Sequence, residues 1–274
     1  MKKRRLSSVI STLVLGILAI TMLIPFLWMV STSLMSEVEV YQFPPRLFPK
    51  ELKWSNYSGA LTMLPFGRFF LNTILVTSVG VLGQLITCSM AAYAFARLRF
   101  KGRDGLFAVF MSTMMVPSIV TLIPAYLIVA TFGWMNTYWA LFTPILTSVW
   151  GIFLLRQFFQ TIPTSYEEAA RLEGASEWTI YWRVILPLSK PALATLAVFA
   201  FMNTWKDFLW PLLVTSRNDM RTLEVGIAMF SSLQGTNWPF QMAAAVVVLL
   251  PILVLFMATQ RYFIEGISLS GLKS

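Results

Sequence analysis

The side chains that could carry chemistry in this chain are few and poorly grouped. There is no histidine, which excludes a histidine-based triad, a histidine metal site and a histidine proton relay. The single cysteine, Cys88, lies in an apolar run, so a buried thiol is expected and an intrachain disulfide is impossible. No G-x-x-x-x-G-K-[ST] phosphate loop occurs, nor any Gly-Lys dipeptide, so the chain lacks that device for holding nucleotide phosphates. Ion-coupled carriers keep ionisable groups inside their helix bundle. Here the charged residues that fall within an apolar run are Lys206 and Asp207, which are adjacent, point in different directions on a helix and need not pair. Glu167 and Glu168 are the close carboxylates of a polar segment, where the surface charge of a helix accounts for them more simply than acid–base catalysis. No catalytic, metal-binding or cofactor-binding group is expected.

The elements around these residues are those of an all-α integral membrane protein. Of the 274 residues, 57% are hydrophobic and 12% charged, too apolar for a soluble domain of this size. A helical span takes roughly 20 apolar residues, and six runs qualify, at about 9–30, 69–95, 106–131, 138–155, 191–214 and 242–262. Gly105–Leu155 carries no charge and is too long for one helix; Gly133, Asn136 and Thr137 supply the turn. The first run follows Lys2-Lys3-Arg4-Arg5 but exceeds the roughly 7–15 residues of a signal-peptide core, so an uncleaved first helix is expected. The net charge of +9 bears on membrane orientation rather than on nucleic acid. With the N-terminus in the cytoplasm, fourteen basic residues fall on cytoplasmic segments and six outside, as the positive-inside rule requires. The tight 97–103 loop contributes four of them. One domain over 1–274 is expected, with both termini cytoplasmic, outer loops at 31–68 and 215–241, and a cytoplasmic loop at 160–190. Asn56-Tyr57-Ser58 matches a glycosylation sequon, which chance explains.

The 160–190 loop is too polar to enter the membrane and too rich in helix formers to be a plain linker. Thr164 and Ser165 each precede a glutamate, Glu167 or Glu168, by three residues, a doubled capping-box pattern. A helix over 165–173 should follow, with Glu167 and Arg171 pairing on its surface and Tyr166, Ala169 and Ala170 on another face. Gly174 suits the left-handed position that ends a helix. Ser176 should cap a second helix carrying Trp178, Ile180, Trp182 and Val184, which Pro187 and Pro191 end. A short helix–turn–helix with a small-residue face, anchored at both ends to spans, suits docking of a cytoplasmic partner.

This segment resembles the EAA loop of the permease subunits of binding-protein-dependent ABC importers: Glu168-Ala169-Ala170, three residues, Gly174, nine residues, then Val184-Ile185-Leu186-Pro187, with valine where the family usually has isoleucine. Asn203 to Leu212 is similar to a region of the carbohydrate-importer permeases, Lys206 being less usual there. Gln260-Arg261-Tyr262-Phe263 is similar to the C-terminus of the maltose-type members; Pro124-Ala125-Tyr126 and Leu155 to Phe159 also recur. The resemblance covers nearly all of the chain from Val9 onward. It implies a pore-lining subunit that imports a sugar or related polyol beside a second, different permease. The partners implied are a cytoplasmic ATPase dimer that binds ATP and magnesium, an extracytoplasmic solute-binding protein and membrane lipid. The family roles fall on Glu168 as the residue pairing with a base on the ATPase, Gly174 as the turn, and Ala169 and Ala170 as the contact face, with Leu186 and Pro187 completing the docking motif. Asn203, Thr204, Lys206 and Asp207, near the outer end of the fifth run, would either line the solute path or outer gate or mark a helix end at the interface, with Trp205 and Trp210 as belt residues. Gln84, Thr87 and Thr143 would face a pore or bond across packed helices. A self-sufficient ion-coupled carrier or channel is the alternative.

Overall fold

The computed structural model describes residues 2–232 and 235–271, and side-chain surroundings over 11–231 and 235–259. The side chains of Lys2–Arg5 and Gln260–Phe263, and Lys273, lie outside the described residues. The chain is mostly helical. In order it forms α1 (Lys2–Ser33), α2 (Glu37–Val40), α3 (Ser55–Met63), α4 (Phe66–Arg97), α5 (Arg103–Thr113), α6 (Ser118–Thr131), α7 (Tyr138–Phe142), α8 (Val149–Thr161), α9 (Ser165–Leu172), α10 (Glu177–Ile180), α11 (Leu186–Leu188), α12 (Lys190–Trp205), α13 (Leu209–Val214), α14 (Leu223–Ala228), a two-residue hairpin β1 (Ser231–Ser232) and β2 (Gly235–Thr236), and α15 (Trp238–Gly271).

Among the described residues four stretches are long and apolar enough to cross a membrane: Ser11–Ser33, Phe66–Arg97, Tyr138–Thr161 and Trp238–Thr259. Two bent pairs, α5 with α6 and Glu177–Leu188 with α12, bring the number to six if each pair is one span. The expected third span, 106–131, is therefore not one rod. It breaks between Thr113 and Ser118 and turns by 97°. Pro117 explains the break, because it has no N–H to donate and its ring forces Val116 out of the helical region. The expected fifth span, 191–214, is also split, at Lys206–Phe208, ahead of Pro211 in α13. The fourth runs past Leu155 to Thr161 and carries a tight turn at Thr143–Ile145 containing Pro144.

The contacts divide the chain into two units, 1–67 with 226–251 and 68–225 with 252–274. In the first, the buried Asn56 amide donates to the carbonyls of Ser33 and Met35, both at 2.8 Å, so the sequon side chain is committed to the fold. A Cβ at Gly59 would stand 2.6 Å from the Phe240 ring, which is why a glycine lies there.

The second unit is built on glycines that let helices approach. A Cβ at Gly83 would meet Leu146 at 2.7 Å, and one at Gly151 would meet Leu196 at 2.8 Å and Cys88 Sγ at 3.2 Å. The core between them holds Cys88, Ala92, Ile152, Leu155, Phe159, Ile180, Tyr181, Ile185 and Leu196. Gln84 donates to Ile145 O and Thr87 to Leu146 O, tying α4 to the 138–161 segment. At the far end of α4 the fully buried Asn72 donates to Asp219 O and Arg221 O, both at 2.9 Å, and accepts from Tyr138.

Candidate functional site

The 162–188 segment folds as the helix–turn–helix expected, with one difference that changes its meaning. α9 runs from Ser165 to Leu172, but no capping box forms: Thr164 at its start has helical φ/ψ and makes no side-chain cap. Glu167 turns inward instead. Its side chain is 3% exposed and its Oε1 lies 2.8 Å from Nε of Arg97, itself 7% exposed. The N–H is not aimed along that line, so the contact is an ion pair rather than an aligned hydrogen bond. Removing one partner of a buried pair costs about 3–5 kcal/mol because the other charge is left alone. The two groups therefore hold each other in place.

Arg97 opens the tight basic loop 97–103 of the sequence. It is the last residue of α4, and its Nη2 donates to Phe159 O at 2.6 Å and Ile162 O at 2.5 Å. These carbonyls sit at the C-terminal end of α8, where main-chain acceptors lack the regular helical donors and positive charge is favoured, although Phe159 O also accepts from Ile162 N at 3.1 Å.

From Glu167 the polar contacts continue and close on α4. Arg171 Nη2 lies 3.4 Å from Glu167 Oε2, Arg171 Nε 2.9 Å from Glu177 Oε1, and the Tyr93 hydroxyl donates to Glu177 Oε2 at 2.7 Å. The hydrogen bond to the Glu177 carboxylate raises the already high pKa of Arg171, keeping it cationic. One turn earlier on α4, Ser89 Oγ and Tyr181 OH are 2.7 Å apart. Ser89, Tyr93 and Arg97 recur every four residues and so form one polar stripe on α4. That spacing was present in the sequence, but within an apolar run it carried no sign of its partners.

The turn after α9 is set by local chemistry. Gly174 has φ +79°, and Ala175 N donates to Ala170 O at 3.0 Å, the six-residue closure of a glycine-ended helix. Ser176 Oγ accepts from Thr179 N at 3.2 Å and caps α10. The helix then widens into a π-turn over Tyr181–Ile185, just before Pro187, whose ring cannot continue regular pairing with Arg183. Ile180, Tyr181 and Ile185 face the core; Trp178 and Trp182 face outward.

Of the residues expected to dock a partner, Glu168, Ala169, Gly174 and Pro187 are exposed, while Ala170 and Leu186 are half-buried against the core. Ala169 is thus open to solvent while Ala170 is partly covered by the core. Tyr166, Ala169 and Leu172, spaced by three, are exposed instead, and Leu172 is 90% exposed, which composition gave no reason to single out.

The second group, Asn203, Thr204, Lys206 and Asp207, lies at the break between α12 and α13. Asn203 and Lys206 are exposed. Thr204 is buried, with its hydroxyl 3.2 Å from where a Cβ of Gly80 would be. Lys206 ends α12, and Asp207 Oδ1 accepts from Trp210 N at 3.4 Å. Helix-end roles fit this geometry. Trp210 is buried, donating to Ala140 O at 2.8 Å, and so is not an interfacial belt residue. Among the described residues no three His, Cys, Asp or Glu come together as a metal site.

Comparison with known proteins gives a consistent result. Residues 83–268 match the family described as the binding-protein-dependent transport system inner membrane component. The chain is 31% identical over 277 residues to the arabinooligosaccharides transport system permease protein AraQ of Halalkalibacterium halodurans, covering 99% of each. It is 34% identical over 263 residues to the sn-glycerol-3-phosphate transport system permease protein UgpE of Pectobacterium atrosepticum, covering 93% of each. Its fold is similar to a chain of a bacterial ABC transporter involved in the import of the acidic polysaccharide alginate, with a TM-score of 0.84, 26% identity, and 96% and 98% of the two chains covered. A chain of the MetNI methionine ABC transporter shares the fold at a TM-score of 0.56 and 16% identity, over 72% of this chain.

Proposed function

The chain belongs to the inner membrane components of binding-protein-dependent transport systems and is a multi-pass inner-membrane permease; on that premise we propose that it forms half of the pore of an ATP-driven importer for a sugar or related polar solute. The relatives belong to transport systems for arabinooligosaccharides and sn-glycerol-3-phosphate, which supports a solute of that class. A second permease completes the pore, and an extracytoplasmic binding protein delivers the solute. The chain is a single transmembrane domain of six spans, counting each bent pair as one, with both termini and the 160–190 loop in the cytoplasm.

The observation that carries this reading is the 162–188 segment. A surface helix presents Glu168, Ala169 and Leu172 outward while its other side is bolted to α4 and α8 through Glu167 and Arg97. Tyr166, Ala169 and Leu172 together give α9 an exposed apolar strip, a natural contact for a protein partner. We assign that partner as the cytoplasmic ATPase, which holds ATP and magnesium, with Glu168 as the ion-pairing group. The substitution pair Glu168→Lys with Gly174→Asp should abolish co-purification of the ATPase and solute uptake. A cysteine at Ala175 in a Cys88→Ala background should be labelled from the cytoplasmic side only. Labelling from outside in intact cells, or transport by the purified chain in liposomes without ATP, would overturn the proposal.

A further inference from the structure

Residues 41–54 fall in the expected outer loop, yet they fold back along α1. The Ser31 hydroxyl donates to Leu47 O, Lys53 N donates to Leu34 O at 2.9 Å, and Lys50 N donates to Glu39 Oε1 at 3.0 Å. Between the loop and α1 runs an apolar groove of about 530 Å³, with Ile24, Leu27 and Leu34 on the helix side and Leu47, Phe48 and Leu52 on the loop side. Ile24 precedes Ser33, the end of the membrane-crossing stretch, by nine residues, or about 14 Å at the helical rise. One leaflet contributes roughly 15 Å of hydrocarbon. The groove therefore lies at leaflet depth. It opens on a helix whose residues 11–28 are all exposed and nearly all apolar.

The loop has the chemistry that depth requires. Pro44, Pro45 and Pro49 have no N–H to satisfy, and Leu47 O, Lys50 N and Lys53 N are paired, as main-chain groups near hydrocarbon must be. Leu47, Phe48 and Leu52 are exposed, Phe48 to 78%. Arg46, Lys50 and Lys53 stand among them, and basic side chains of this length reach phosphates while their stems stay in apolar surroundings. Lys53 pairs with Glu51 at 3.7 Å, whereas Arg46 has no ion pair among the described residues. Arg46 also lines a smaller, more polar pocket of about 260 Å³ that adjoins the groove across Trp28. Thr32 lines that pocket too. It is 4% exposed, and its hydroxyl has no hydrogen-bond partner among the described residues. The Glu39 carboxylate of the same pocket is already taken by the N–H groups of Ser36 and Lys50. A buried hydroxyl without an acceptor and an unpaired guanidinium in one pocket suit the oxygens of an anion.

We propose that residues 41–54 form a phospholipid-binding element seated in the leaflet at the Ser33 end of α1. One acyl chain occupies the groove, and the lipid phosphate is held by Arg46 and the Thr32 hydroxyl. The site needs neither the pore nor the ATPase, and it stands whichever way the chain is oriented.

The test uses the chain purified with the subunits that accompany it, in nanodiscs of phosphatidylglycerol and phosphatidylethanolamine. A nitroxide is placed at Phe48→Cys in a Cys88→Ala background, with Leu18→Cys on the exposed face of α1 as reference. Collisions with oxygen, which partitions into lipid, should exceed those with a water-soluble nickel chelate at both positions. More collisions with the chelate at Phe48→Cys would place the loop in water. Few collisions with either would show a protein over the groove, such as a second permease. Either result overturns the proposal. In detergent, a bimane at Leu47→Cys should be quenched saturably by phosphatidylglycerol brominated on its acyl chains. Arg46→Gln with Thr32→Val should raise the lipid concentration for half-quenching about fivefold, as expected for one basic residue at a lipid surface. Brominated diacylglycerol, which has no phosphate, should quench parent and variant alike. Equal quenching of parent and variant by phosphatidylglycerol overturns the proposal.

Discussion

Replacing Gly174 by alanine isolates a single physical effect. Gly174 sits at φ +79°, and a Cβ built there meets no atom within 4 Å. No contact is gained or lost, so the whole penalty is the backbone cost of the left-handed region. For a residue with a Cβ that is about 1–2 kcal/mol. The hydrogen bond most dependent on this turn is Ala175 N to Ala170 O. Opening of the turn should become roughly 5- to 30-fold more frequent, since that energy corresponds to such a ratio. Amide hydrogen exchange reports local opening directly, so the Ala175 amide should exchange faster by that factor in Gly174→Ala. Exchange in the α8 and α12 core should not change. Asparagine tolerates the left-handed region better than alanine, so Gly174→Asn should fall between the two. If Asn and Ala variants exchange equally fast, or if the Ala variant matches glycine, the conformational account of this turn is wrong.

Gly151→Val should lower the thermal stability of the solubilised protein by about 1–3 kcal/mol, the usual cost of overpacking, because its Cβ alone would lie 2.8 Å from Leu196 and 3.2 Å from Cys88. Gly105→Ala, in α5 where nothing lies within 4 Å, serves as the control and should not lower the melting temperature, since alanine is favoured over glycine in a helix by about 0.5–1 kcal/mol. The loop after α1 should loosen in acid through Glu39, whose carboxylate accepts from Ser36 N at 2.9 Å and Lys50 N at 3.0 Å. Those backbone donors hold its pKa below the usual 4.5. The unfolded loop then binds the proton more readily than the folded one, so the stabilisation is present above pH 4.5 and is lost as pH falls through the lowered value. Exchange of the Ser36 and Lys50 amides, corrected for intrinsic rate, should rise on going from about pH 6 to about pH 3, and Glu39→Gln should remove the dependence.

The sequence by itself determined the features that depend on composition and on near neighbours along the chain. Apolar length marked the helices long and apolar enough to cross a membrane, because a helical span takes a run of roughly 20 apolar residues. Gly174 and Ser176 marked the turn between α9 and α10 correctly, since a left-handed glycine and a serine cap act within a few residues. The same local logic failed at Glu167. Its spacing from Thr164 satisfied a capping box, but a guanidinium brought from α4 offered a full charge in a dry site and drew the carboxylate inward. Only the tertiary structure decided that, together with the half-burial of Ala170 and the burial of Thr204 and Trp210. Each depends on which distant helix faces the residue. A pattern of residue types along one strip of chain cannot contain that information, because the partner's position is fixed by the packing of glycine-lined helices around it.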